Sequence, residues 1–324
     1  MKAIQASWLA ALGVAWCVAG GQAGAQSWPA RPVKLIVPYE AGGGTDNVAR
    51  GLIQRMAEGT GGTFVIENRP GAGTIIAAEI VSKAAPDGYT LFLTTGTAVS
   101  INQHMFKKLP YNPERDFVPV GMIGASPYGL FAHPSVPANT FKDLLAYAKA
   151  NPGKLNVALG GAGTPTHFAL QMLELASDTK FTAVQYKGNA SSLQDTLGGR
   201  TELIMGVPPL ILPHVKSGKL KALAITSPAR FPTLPDVPAM AELFPGFEAQ
   251  TWYGIVAPTG TPRDIINRLN NEIQAYTKDP AVREKWLAQG TVMQSGPPEQ
   301  MAAYIKTESE RWGVLIKRLG LSLE

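Results

Sequence analysis

From Val33 onward the chain alternates between two hydrophobic rhythms. Short, nearly continuous apolar runs read as buried strands, and stretches with apolar residues three and four apart read as helices. VKLIVPY (33–39) is the first strand, and the next stretch places Val48, Leu52, Ile53 and Met56 on one helical face. TFVIENRPGAG is a strand ending in a turn at Pro70-Gly71, and GTIIAAEIVSKAA is a helix stopped by Pro86-Asp87-Gly88. YTLFLTT, FVPVGMIG and YGLFAHPS are further strands. This order predicts an α/β fold with a parallel core.

The plan then restarts. TFKDLLAYAKANPGK predicts a helix capped by Thr140 and stopped at Asn151-Pro152-Gly153. LNVALGGAGTPTHFALQMLEL repeats the opening device of strand, glycine loop and helix. The strand FTAVQYKG, the helix ASSLQDTLGGR and the strands TELIMGV and KLKALAITS follow, the last two around the short helix PPLILPHVKSGK. A Pro-rich stretch (227–248) reads as an ordered loop, TWYGIVAPTGTP as a strand, and two amphipathic helices end the chain. Two such units predict two lobes facing each other with a ligand between them.

The glycine loops carry the candidate chemistry. The first is Ala41-Gly42-Gly43-Gly44-Thr45-Asp46, between a strand and a helix. Glycine lets a backbone approach an anion closely, and free N–H groups at a helix start attract one. Thr45 or Asp46 could cap that helix. No Lys-Ser or Lys-Thr closes the loop as in a P-loop, and no G-x-G-x-x-G is present. A small carboxylate fits better than a polyphosphate; a tight turn without ligand is the competing reading. The second loop, Gly160-Gly161-Ala162-Gly163-Thr164-Pro165-Thr166-His167, has Thr164 as N-cap and Pro165 at the first helical position. Thr94, Thr95 and Thr97 offer hydroxyls at a strand's carboxyl end, where open α/β sheets bind ligands. Lys187 could pair with a carboxylate or be a solvated surface residue. Trp252 and Tyr253 could line a cleft or pack at a domain junction.

Composition narrows the classes. Residues 1–25 combine Lys2, the apolar stretch LAALGVAWCVAG and Ala23 and Ala25 at small-residue positions, the pattern of an export signal cleaved before Gln26. An uncleaved anchor, or a lipoprotein through Cys17, are alternatives. Cys17 is the single cysteine, so cleavage leaves no disulfide, thiol nucleophile or cysteine metal site. A net charge of +5 with no basic run gives nucleic acid no stripe to bind. The four histidines are isolated, and no G-x-S-x-G elbow occurs. Neither a metal nor a cofactor is expected.

WPARPVKLIVPYEAGGGTDNVAR, VIENRPGAG, KAAPDGYTL, QYKGNASSLQDTLGG, LPHVKSGKLKALAITS and WYGIVAPTGTP, in this order, resemble the periplasmic solute-binding proteins of tripartite tricarboxylate transporters, the Bordetella-uptake or Bug family. The resemblance spans the mature chain. It implies a two-lobed, type II Venus-flytrap fold, each lobe a mixed sheet flanked by helices. We place the lobes at 27–124 with 250–324, and at 125–249. It also implies carboxylate capture by residues 39–46 and 160–167. The candidate ligand-binding residues are Tyr39, Ala41, Gly42, Gly43, Gly44, Thr45 and Asp46; Thr94, Thr95 and Gly96; Gly161, Ala162, Gly163, Thr164, Thr166 and His167; and Tyr186, Lys187 and Val207. Gly43, Gly44, Thr45, Thr95, Gly163 and Thr164 are the expected direct contacts. The family commonly has Met-Phe-Asp where this chain has Met205-Gly206-Val207. That departure argues against an amino-acid ligand, and Gly206 is expected to widen the pocket. The function implied is capture of a di-, tri- or aromatic carboxylate in the periplasm, by a monomer, for delivery to the transporter's membrane subunits. An exported hydrolase acting on an anionic substrate is the alternative.

Overall fold

The computed structural model describes residues 28–320, so the expected export signal lies outside the described residues. The chain begins with β1 (Val33–Val37), α1 (Gly44–Thr60), β2 (Phe64–Asn68), α2 (Ile75–Ser82) and β3 (Thr90–Thr94). A π-helical turn (Thr97–Ile101), the short helices α3 (Asn102–Met105) and α4 (Pro113–Asp116), and the long strand β4 (Phe117–Pro127) follow. The second unit is β5 (Gly129–Ala132), α5 (Phe141–Ala150), β6 (Asn156–Leu159), α6 (Pro165–Ser177), β7 (Thr182–Gln185), α7 (Asn189–Leu197), β8 (Leu203–Gly206), α8 (Pro208–Lys216) and β9 (Lys221–Ile225). The chain returns through β10 (Gln250–Pro258), α9 (Arg263–Lys278), α10 (Pro280–Ala288), β11 (Val292–Met293) and α11 (Pro298–Leu319).

Two sheets result, one ordered β11-β4-β10-β3-β1-β2 and the other β7-β6-β8-β5-β9. Each contains a parallel trio, β2-β1-β3 and β7-β6-β8. The remaining pairings, β10 with β3 and β4, β11 with β4, and β5 with β8 and β9, are antiparallel, because the chain crosses between the sheets instead of closing another βαβ unit. The expected parallel core therefore holds only for the trios, within mixed sheets.

Both sheets are covered on both faces, which is why their strands read as continuous apolar runs. In β1, Val33, Leu35 and Val37 face α1 and α9, meeting Leu52, Ile266 and Ile273. Ile36 points to the opposite face with Phe92, Ala77 and Met301. The same period of two in the second sheet sends Leu203, Met205 and Val207 toward Phe141 and Leu170, and Ile204 toward Ile211 and Leu193. Helix α5 has the full capping box expected of Thr140, with Asp143 as its partner.

The two crossings run side by side. The Tyr128 N–H donates to Thr226 Oγ1 at 2.8 Å, and the Ala249 N–H to the Thr226 carbonyl at 3.2 Å. Phe168 of α6 reaches across to pack on Trp312 of α11, with ring centroids 5.2 Å apart, beside Ile101, Met105 and Ile316. Among the described residues no helix is long and apolar enough to cross a membrane.

Candidate functional site

The parallel trios decide where the site lies. Their carboxyl ends carry the loops after β1, β2 and β3 on one side and after β6, β7 and β8 on the other, and these loops meet in one cleft. The inner part of the cleft is a chamber of about 30 Å³. Tyr39, Gly43, Gly44 and Thr45 line it from the first lobe, and Gly160, Thr164, Pro165, Thr166, Asn189 and Val207 from the second. Tyr128, Thr251 and Tyr253, at the crossings, complete it. No charged side chain among the described residues lines it.

Helix α1 starts directly on the glycine run. Gly43 holds the cap position with extended backbone and no side-chain cap, so neither Thr45 nor Asp46 caps as expected. The N–H groups of Gly44 and Thr45 have no acceptor among the described residues, as the first turn of a helix dictates. Asp46 is turned away from the chamber. Its carboxylate accepts from the Gly42 N–H at 2.9 Å, from Arg50 Nε at 2.7 Å and from Asn68 Nδ2 at 3.0 Å. Burial raises its pKa, but these donors outweigh burial and hold it below the ordinary value. Its negative charge is thus neutralised locally and does not face a ligand.

The second loop brings α6 to the same chamber from the opposite lobe. Thr164 occupies the cap position, but its hydroxyl donates to the Gly161 carbonyl at 2.6 Å and meets Thr166 Oγ1 at 2.9 Å, so it caps no N–H. Thr166 Oγ1 accepts the Gly160 N–H at 3.1 Å. Two expected contacts are already spent: the Gly43 N–H donates to the Glu40 carbonyl at 3.3 Å, and the Gly163 N–H to His167 Nδ1 at 3.2 Å. Burial lowers the pKa of His167, and acceptance at Nδ1 places its single proton on Nε2. It is a neutral packing group beside Phe168.

Several other candidates stand behind the chamber walls. Thr95 and Thr97 Oγ1 each lie 3.4 Å from the Tyr39 hydroxyl. Thr94 donates to the Thr95 carbonyl, and Gly96 makes room for the Trp252 indole, 2.9 Å from where its Cβ would be. Ala41 and Gly42 are exposed outside. Gly206 does not widen the pocket. The alternation of β8 turns it to the opposite face, where Ile211 Cδ1 would be 2.6 Å from an added Cβ. Val207 faces the chamber, and its Cγ2 would lie 2.5 Å from a Cβ on Gly44.

The contributions of Tyr128, Asn189 and Thr251 were not legible in the sequence, since single polar residues in apolar runs give no signal. The hydroxyls of Tyr39, Tyr128 and Tyr253 are held neutral, burial raising the pKa of each. Tyr253 OH and Asn189 Oδ1 are buried without a hydrogen-bond partner among the described residues.

An outer chamber of about 380 Å³ adjoins the inner one and shares Tyr39, Gly160 and Thr164 with it. Gly161, Ala162, Tyr186 and Lys187 form its second-lobe wall. Across from them lies the turn 71–74, whose residues all have positive φ: 128°, 46°, 57° and 76°. The Asn102 side chain tethers that turn by donating to the Gly73 carbonyl at 2.9 Å. Glu40, from the first loop, spans the cleft mouth: its Oε2 accepts from Ser191 Oγ at 2.9 Å and from the Ser191 N–H at 3.2 Å.

Two lobes with paired helix starts and strand ends on one cleft define the periplasmic solute-binding fold, here of type II. Solved structures agree. Rpa4515 of R. palustris with adipate superposes with a TM-score of 0.88 at 33% identity, covering 91% of this chain and 99% of that one. MatC (Rpa3494) from Rhodopseudomonas palustris with bound malate gives 0.84 at 31%, covering 89% and 100%. The periplasmic binding protein BugD gives 0.87 at 36%, covering 92% and 100%. Protein BugT of Bordetella pertussis is 35% identical over 320 residues, 98% of each chain. The family model of the tripartite tricarboxylate transporter family receptor matches residues 48–321. The chain belongs to this family of solute-binding receptors, the TctC or Bug proteins.

Proposed function

We propose that this protein captures a small carboxylate between its lobes, in the periplasm after signal cleavage near Ala25, and presents it as a monomer to the membrane subunits of a tripartite transporter. The carrying observation is the convergence of two helix starts, one from each lobe, on an uncharged chamber lined by hydroxyls. The free N–H groups of Gly44 and Thr45 are the first-lobe donors; the Thr166 backbone N–H, without an acceptor among the described residues, and the Tyr253 hydroxyl supply further donors. Donors aimed into an uncharged chamber favour an anion without needing a cationic side chain. The moving bodies are 27–124 with 250–324, and 125–249, turning about the crossings at Tyr128 and Ala249. The adipate and malate held by the neighbouring structures support this class of ligand.

The function is binding without turnover. This reading rests on the match to a family of transporter receptors. The test is a thermal-shift screen of the mature chain with mono-, di- and tricarboxylates, followed by titration calorimetry. A ligand at about 100 times its Kd stabilises the fold by about 2.7 kcal/mol. The expected result is one-to-one binding with the ligand recovered unchanged. Absence of any shift across the panel, or appearance of a product, overturns the reading.

A further inference from the structure

The two chambers differ in size and in charge. The inner one, at about 30 Å³, has room for about two waters. That is the space taken by the two oxygens of one carboxylate, and it leaves none for a carbon skeleton. The outer chamber, at about 380 Å³, is large enough for the body of a small ligand. Its walls include the rings of Tyr39, Phe106 and Tyr186, and the Tyr186 hydroxyl is committed to Asp195 Oδ2 at 2.7 Å. The first-lobe turn and the second-lobe loop close on it together, since a Cβ on Gly73 would lie 3.3 Å from the Ala162 carbonyl.

Charge in this space comes from one residue. Among the described residues, Lys187 is the single ionisable side chain other than tyrosine lining either chamber. It makes no ion pair with another described residue. Glu40, the nearby acid, is engaged with Ser191. No acidic side chain among the described residues lines either chamber.

We infer that the ligand is an extended dicarboxylate, with one carboxylate in the inner chamber, an apolar body against the aromatic walls, and the far carboxylate paired with Lys187. Lys187 is then a specificity-determining residue, selecting diacids over monoacids of the same length. The inference rests on the carboxylate reading of the inner chamber, and it adds the length of the ligand and the charge at its far end.

Adipate and hexanoate test it, because they share a six-carbon chain and differ only in the far carboxylate; terephthalate and 4-methylbenzoate are the aromatic pair. Calorimetry on the mature wild-type chain is expected to show tighter binding of the diacid in at least one pair. Lys187→Met should reduce the diacid preference about fivefold, the upper end of what a solvent-exposed ion pair contributes. It should weaken monoacid binding less than diacid binding and leave the melting temperature of the free protein unchanged. Lys187→Arg should retain the preference, and added salt should narrow it. Equal preference in wild type and Lys187→Met overturns the inference, as does monoacid binding as tight as diacid binding. If malate binds and none of the four extended ligands does, the carboxylate reading stands and the extended-ligand inference falls. If no carboxylate binds, both fall.

Discussion

Gly44 packs against Val207 of the opposite lobe, and replacing it by alanine separates fold stability from ligand affinity. An alanine Cβ there would lie 2.5 Å from Val207 Cγ2 of the opposite lobe. Ordinary carbon contacts are about 3.5–4.0 Å, so the lobes must part by about 1–1.5 Å at this point. The cost belongs to the closed form alone, because Val207 sits in the other lobe. Overpacking of this kind costs about 1–3 kcal/mol, which corresponds to about 5- to 150-fold weaker binding. The open form should gain instead. Gly44 lies in the first turn of α1 without positive φ, where Gly→Ala typically adds about 0.4–1 kcal/mol through the unfolded chain. Calorimetric affinity for the best carboxylate and the melting temperature of the free protein are the two readouts. They should move in opposite directions. Adding Val207→Ala removes the close contact and leaves the Val207 Cβ at 3.8 Å, so the double variant should regain most of the lost affinity. Wild-type affinity in Gly44→Ala would refute the closure geometry. Loss of stability in the free protein would make Gly44 a requirement of the fold.

Three further outcomes follow from the same geometry. Asp46→Asn removes a charged acceptor from the Gly42 N–H and Arg50 and should cost about 1.5–3 kcal/mol at pH 7; because the folded pKa is depressed, the wild-type advantage is complete above the ordinary 3.8 and should vanish as pH falls through the lower folded value, read by denaturant titrations from pH 7 to 2. Glu40→Ala removes both hydrogen bonds to Ser191 across the cleft mouth; affinity should fall about fivefold while the free protein melts unchanged, given the roughly 1 kcal/mol expected of such a partly exposed contact. Val207→Asp places a carboxylate on the chamber wall and should shift preference from succinate toward aspartate in paired titrations; unchanged preference would remove Val207 from the specificity account.

The legible parts of the molecule share a cause. Buried strands and amphipathic helices declare themselves by period, so β1, α1, β6 and α6 lie where the pattern places them. The two glycine loops were visible because glycine runs between a strand and a helix have few other uses. What the pattern could not show is set by distant packing. The π-helical turn at Thr97–Ile101 and the two-residue strand β11 depend on α11 and β4, respectively, and carry no local signature. Helix α10 merges in sequence with the polar end of α9, separated only by Asp279. The loop donors were overcounted for a similar reason. Sequence names Gly43 and Gly163 as exposed N–H groups, yet each finds an acceptor within its own turn, Glu40 O and His167 Nδ1. Gly206 shows the limit of substitution reasoning, since the space of an absent side chain is taken by Ile211 from the next helix.

The direct test of the central claim is a crystal structure of the mature chain grown with the tightest ligand from the carboxylate panel. One carboxylate should occupy the inner chamber, within hydrogen-bond distance of the Gly44 and Thr45 N–H groups on one side and of the Thr166 N–H on the other. A ligand held elsewhere, or held in the cleft with its carboxylates away from both helix starts, would contradict the account.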